Sequence, residues 1–171
     1  MDKSYQCPLP YPPLEVSRPN SAWVPLLKNL YAGRKSELGA ITQYCYQSMV
    51  LSRARNEISE ALRGIAIVEM RHLEMLGRLI LLCGGTPDFA GEKPRQWWSG
   101  SLVNYRKDLC GALLASLADE VAAVDAYLKA ASQISDQKIR QVLRRIAMDE
   151  SHHAQLLREM ITQCRCPSQE K

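Results

Sequence analysis

The sequence predicts an all-α fold, a four-helix bundle with a long crossover between its second and third helices. Three observations lead there. Apolar residues recur at steps of three, four and seven through four long stretches of the 171 residues, which is the helical period. No stretch alternates as a strand would. The connections run short, long, short, so the first two and the last two helices pair as antiparallel hairpins, joined by a segment long enough to travel the length of the bundle.

A chain of this length builds one domain around a full core. We divide it into a Pro-rich arm over 1–20, a bundle over 21–164 and a tail over 165–171. The 22 basic and 18 acidic residues leave a net charge of +4, spread without a basic block, so nucleic-acid binding is not expected. No stretch has the apolar length of a membrane span, and the N-terminus lacks a signal-peptide core. The expectation is a soluble cytoplasmic protein with reduced thiols, because Cys45, Cys83 and Cys110 fall within helical patterns and Cys7, Cys164 and Cys166 near the ends, unlike a secreted disulfide framework.

In chain order, Pro8, Pro10, Pro12, Pro13 and Pro19 exclude helix from the arm and suggest an extended segment lying over the surface or over a partner subunit. Asn20 or Ser21 is placed to cap a first helix over about 22–52, with Pro25 tolerated near its start. Its inward face collects Leu26, Leu30, Glu37, Ile41, Tyr44, Ser48 and Leu51, and Gly33 and Gly39 weaken it locally. A turn at Arg53 to Asn56 leads to a second helix over about 57–83, started by Asn56 with Glu57 and Glu60. Ile58, Leu62, Ile65, Glu69, His72, Leu76 and Leu79 face inward, and Gly84-Gly85-Thr86-Pro87 stops it. Residues 86–101 read as the crossover, with Trp97-Trp98 clamping it onto the bundle. A third helix over about 102–132 buries Leu109, Leu113, Leu117, Glu120, Val124, Tyr127 and Ala131. Ser135 or Asp136 caps a fourth, which turns Ile139, Leu143, Ile146, Glu150, His153, Leu157 and Met160 or Ile161 inward and stops before Pro167.

Within these apolar faces a polar pattern occurs twice. Glu37 is followed by Tyr44 and then by Glu69 and His72; Glu120 is followed by Tyr127 and then by Glu150 and His153. Residues three apart share a helix face, so each Glu-x-x-His pair projects together into the core, and the repetition implies a pseudo-two-fold axis. Four buried carboxylates need countercharge, since each desolvated anion costs several kcal/mol. Two divalent cations supply it, and two neutral imidazoles complete the set. We therefore assign Glu37, Glu69, His72, Glu120, Glu150 and His153 as ligands of a dinuclear centre, of iron or manganese given the oxygen-rich donors. Tyr44 and Tyr127 are candidates to hydrogen-bond those ligands or relay an electron. His152, Asp149 and Asp119 adjoin ligands but are expected to face elsewhere, the two Asp in salt bridges. Cys164-x-Cys166 reads as a tail rather than a metal motif.

On these residues the chain resembles the ferritin-like superfamily of di-metal carboxylate proteins over about 22–164. Glu37 to Tyr44 and Glu69-Met-Arg-His72 are similar to bacterioferritin; His72-Leu-Glu-Met75 and the arm from Tyr11 to Asn20 resemble the manganese catalase and spore-coat catalase-like group. Rubrerythrins also compare, although Leu117 stands where they carry an additional Glu and no four-Cys segment follows. The resemblance implies that Glu37 and His72 serve one metal, Glu120 and His153 the other, and that Glu69 and Glu150 bridge. It implies a redox protein acting on peroxide or O2, with oxidation of Fe2+ or a purely structural, coat-like role as alternatives. The bacterioferritin likeness offers Met70 as a haem ligand, against plain packing at a helix interface. No fifth helix of the shell-closing kind follows Gln163, so a small assembly is expected, a homodimer that covers Trp23, Val68 and Met75.

Overall fold

The computed structural model describes residues 5–52, 55–93 and 96–167. Among the described residues five α-helices make the bundle: α1 Val24–Ala32, α2 Glu37–Leu51, α3 Asn56–Leu82, α4 Leu109–Gln133 and α5 Gln137–Gln163. Among the described residues there is no strand beyond an isolated antiparallel bridge between Ala90 and Trp97. The start of the arm, the Arg53-Ala54 part of the first turn, Pro94 in the crossover and the end of the tail lie outside the described residues.

The first helix of the sequence reading is broken in two. Gly33 leaves the helix with its position pressed on Asn29, where a Cβ would come within 2.3 Å of the Asn29 carbonyl oxygen. Ser36 then restarts it, donating its hydroxyl to Gly33 O at 2.9 Å and accepting the Gly39 N–H at 3.4 Å, an N-cap immediately before Glu37. The break lets α2 begin at Glu37. Leu26 is consequently only half-buried, and Leu27 and Tyr31 take the core side of α1.

Helix α3 buries all seven positions expected of it. Arg55 rather than Asn56 stands at its N-cap, without a side-chain cap; Asn56 is helical and donates to Glu60 at 3.0 Å. Its end is closed by Gly84 at φ 84° and by the Gly85 N–H to Ile80 O at 2.9 Å, a glycine stop in the left-handed region. The third helix starts later than its periodicity suggests: Gly100–Leu102 is a single 3₁₀ turn, and Asp108 caps α4 by accepting the Gly111 N–H at 2.7 Å. Leu117 and Val124 are half-buried, and Ala112, Ser116 and Ala130 take the core positions instead.

Two apolar clusters fix the topology. One unites Ile58 to Ala66 of α3 with Ala112 and Leu113 of α4 and Leu157 and Met160 of α5; the other unites Leu76 to Cys83 with Tyr127 to Ile134 and with Ile139 to Ala147. The starts of α3 and α4 therefore lie at one end and their C-terminal halves at the other, which makes them parallel. The crossover from Cys83 to Asp108 spans the bundle between those ends. Phe89 stacks on Tyr31 with centroids 5.7 Å apart, Asp88 pairs with Lys28, and the Asn104 N–H donates to Gln43 at 3.1 Å. Trp98 packs on the core, whereas Trp97 is exposed.

Three expectations are corrected. Cys110 and Cys166 form a disulfide, because the antiparallel α4–α5 hairpin returns the tail to the start of α4; the thiols are not all reduced, and the tail is not free. Val68 and Met75 are buried within the chain, so neither calls for cover by a second copy, and Trp23 is half-buried. Met70, outside these corrections, projects outward from α3 and is 46% exposed, so within the chain it packs on no neighbouring helix.

Candidate metal centre

Between the two apolar clusters lies a polar layer. Glu37 enters it from the first turn of α2, Glu69 and His72 from the middle of α3, Glu120 from α4, and Glu150 and His153 from α5; all six are at most 4% exposed. Their donor atoms form two interlocked groups. Glu37, Glu69, His72 and Glu150 each offer an atom within 4.8 Å of the others, and so do Glu69, Glu120, Glu150 and His153. Glu69 and Glu150 belong to both.

Each imidazole turns Nδ1 toward the carboxylates. His72 Nδ1 lies 2.9 Å from Glu69, 3.0 Å from Glu150 and 3.7 Å from Glu37; His153 Nδ1 lies 2.9 Å from Glu69, 3.6 Å from Glu120 and 3.7 Å from Glu150. Nε2 points the other way in both rings. His72 Nε2–H donates to Asp149 Oδ2 at 3.0 Å, and His153 Nε2–H to the Tyr5 carbonyl at 2.9 Å.

The two tyrosines cross between halves. Tyr44 of α2 donates to Glu120 of α4, and Tyr127 of α4 donates to Glu37 of α2. Burial, reinforced by the bonded carboxylate, raises both phenols well above their ordinary value, so they remain donors. Burial and the neighbouring Glu69 and Glu150 likewise push Glu37 and Glu120 well up. Burial acts on Glu69 in the same sense but is outweighed by His153 and His72, which hold it below the ordinary range. Burial opposes protonation of the imidazoles, yet the surrounding carboxylates raise both well above their ordinary value. The carboxylates thus favour a second proton on each imidazole.

Those protons do not satisfy the layer. Glu69 Oε1, Glu150 Oε1 and His153 Nδ1 are buried without a hydrogen-bond partner, even though His153 Nδ1 and Glu69 Oε1 are close, because their alignment is wrong for one. An unpaired buried polar atom costs about 1–3 kcal/mol. A pair of divalent cations is the partner this donor set fits.

Asp149 is the residue that sequence reasoning misplaced. It does pair with Arg145, at 2.7 Å, but it faces the centre: fully buried, it also accepts from His72, from Tyr11 OH at 2.5 Å and from the Cys7 N–H at 2.6 Å. Burial would raise its carboxyl; these donors hold it down at about 2. Its rotation about α5 from Glu150 suggested an outward position, and the arm that covers it is too far away in sequence to be anticipated. Asp119 meets Lys35 at 3.0 Å near the surface, and His152 is half-buried. Met70 is remote in direction from the polar layer, since it lies on the exposed face of α3.

Comparison with known proteins agrees with this architecture. The family model for manganese containing catalase matches residues 4–93, which include the arm and α1 to α3 but neither α4 nor α5. The uncharacterized protein YhjR of Bacillus subtilis is 30% identical over 132 residues, 75% of this chain and 81% of its own length. Among solved structures, the manganese catalase KatB from Anabaena superposes with a TM-score of 0.86 at 24% identity, over 97% of this chain and 83% of KatB. A bacterioferritin from Desulfovibrio desulfuricans with a diiron site gives 0.71 at 24% identity, over 84% and 80% of the two chains. At these identities the solved structures establish the fold.

Proposed function

The chain belongs to the manganese containing catalase family, and from that premise we propose that it is a di-metal redox protein that binds two manganese ions and converts hydrogen peroxide to water and dioxygen. The observation that carries this is the sharing of Glu69 and Glu150 by two buried donor groups. Glu37 and His72 would hold one ion, Glu120 and His153 the other, and Glu69 and Glu150 would bridge. When bound, the ions supply the redox equivalents that peroxide chemistry needs.

The protein supplies geometry and surroundings. Tyr127 and Tyr44 each engage Oε1 of Glu37 and Glu120, which leaves Oε2 of each facing an imidazole. Asp149 and the Tyr5 carbonyl fix the two rings by their Nε2–H groups, so in both Nδ1 is the nitrogen that would face an ion once its proton is displaced. The apolar clusters on either side keep bulk water out, where electrostatic interactions are stronger.

Protein from its native source is expected to carry two manganese ions per chain by elemental analysis and to consume peroxide. The superposition on a bacterioferritin with a diiron site supports one alternative, oxidation of Fe2+ at the same residues; the ratio of Fe2+ to O2 consumed separates the two. A metallated protein that turns over neither substrate would overturn both and leave the metals a structural role.

A further inference from the structure

The arm does not behave as a peripheral tail. Tyr5 gives its carbonyl to His153, and its ring lies on α3 at Gly64, where a Cβ would come within 2.2 Å of ring carbons; only glycine leaves that slot open. The Cys7 N–H and the Tyr11 hydroxyl occupy the two oxygens of Asp149, one of which also accepts from His72. Arg145, itself 4% exposed, donates to the Cys7 carbonyl at 2.7 Å and to the Leu9 carbonyl at 2.7 and 2.9 Å. The guanidinium groups of Arg71 and Arg145 each lie over the Tyr11 ring, 4.2 and 4.3 Å from its centroid. One segment of seven residues thus reaches the outer edge of both imidazoles.

Resting on the two-metal reading above, we propose that residues 5–11 are a latch on the metal centre: while the arm is seated, neither imidazole can turn its Nδ1 away from the carboxylates, and a bound ion leaves only after the arm lifts. Coupling of this kind is reciprocal. Metal binding must hold the arm down as strongly as the arm holds the metal. Tyr11 and Gly64 act as positioning residues, the first through Asp149 and the second by seating Tyr5.

The test uses the full chain loaded with Mn2+ and, separately, Fe2+. Release into excess chelator is timed for the wild type, for Tyr11→Phe and Gly64→Ala, and for Glu15→Gln, which loosens the arm only at its exposed pair with Lys138. Loss of a partner that orients a ligand weakens metal affinity by about 10–100-fold. Release is therefore expected to accelerate by about that factor in Gly64→Ala, by less in Tyr11→Phe, and not at all in Glu15→Gln. Melting temperatures of the metal-free proteins separate this from a general loss of stability, and Tyr11→Phe alone decides if Gly64→Ala does not fold. Hydrogen exchange at the Cys7 amide is expected to slow when metal binds. A wild type that takes up neither ion defeats the two-metal reading itself; one that holds two ions and releases them at the same rate in all four proteins, with exchange unchanged, defeats the latch alone.

Discussion

At Glu69 a single buried carboxylate faces both donor groups, with Oε2 toward His72 and Oε1 toward His153. Its replacement by Ala is expected to reduce bound metal from two ions per chain to none, measured by elemental analysis, whereas Met70→Ala on the outer face of α3 should leave the content unchanged. Tyr44→Phe and Tyr127→Phe remove equivalent donors and should each weaken binding by about 10–100-fold; a large effect in only one would contradict the crossed pairing. The pH dependence follows from the metal-free ionisation states. The imidazoles and the Glu37 and Glu120 carboxyls all have raised pKa values, so they bind protons more tightly than the free groups do, and metal must compete with those protons. Affinity is then expected to rise with pH, and calorimetry in buffers of different ionisation enthalpy should detect proton release on loading. That these six residues share one buried layer was legible because the three-residue spacing of Glu69–His72 and Glu150–His153 is a local property, and because the repeat places Glu37 and Glu120 beside them. Asp149 was not, since what it faces depends on an arm that arrives from the other end of the chain.

Among the elements, α5 depends on Asp136. Its Oδ1 accepts the N–H groups of Lys138 and Ile139 at 2.9 and 3.2 Å, and its Oδ2 accepts the Ser17 N–H at 2.6 Å, so one side chain both caps a helix and ties down the arm. Burial alone would raise its pKa, but these donors lower it. With the folded value depressed, the stabilisation is present above the ordinary Asp value of about 3.9 and is lost as pH falls through the lower folded value. Asp136→Ala is expected to cost about 1–2 kcal/mol at neutral pH, with a difference from wild type that shrinks in acid; thermal melts across pH would check it. The caps at Asp136 and the glycine stop after α3 were readable because they are local chemistry. The break between α1 and α2 was also written in Gly33 and Ser36, but an apolar period continuing across it masked the interruption.

For the molecule as a whole, the Cys110–Cys166 disulfide joins residues 56 apart and closes the α4–α5 hairpin at the end opposite its own turn. Cys166→Ser is expected to destabilise the protein by about 2–4 kcal/mol in chemical denaturation, with metal content preserved. Which cysteines would pair could not be read in advance, because it depends on which helix ends meet once the bundle has formed. The same dependence on assembly governs the symmetry of the centre. The two halves repeat their ligands and their tyrosines, but the position matching Asp149 is Val68, and His153 leans on a neutral carbonyl where His72 leans on an anion. A carboxylate makes the imidazole bonded to it more basic and a stronger donor. The two metal positions are therefore not interchangeable: the one beside His72 should fill first and give up its ion last, so a stepwise titration is expected to resolve a one-metal species before the pair is complete.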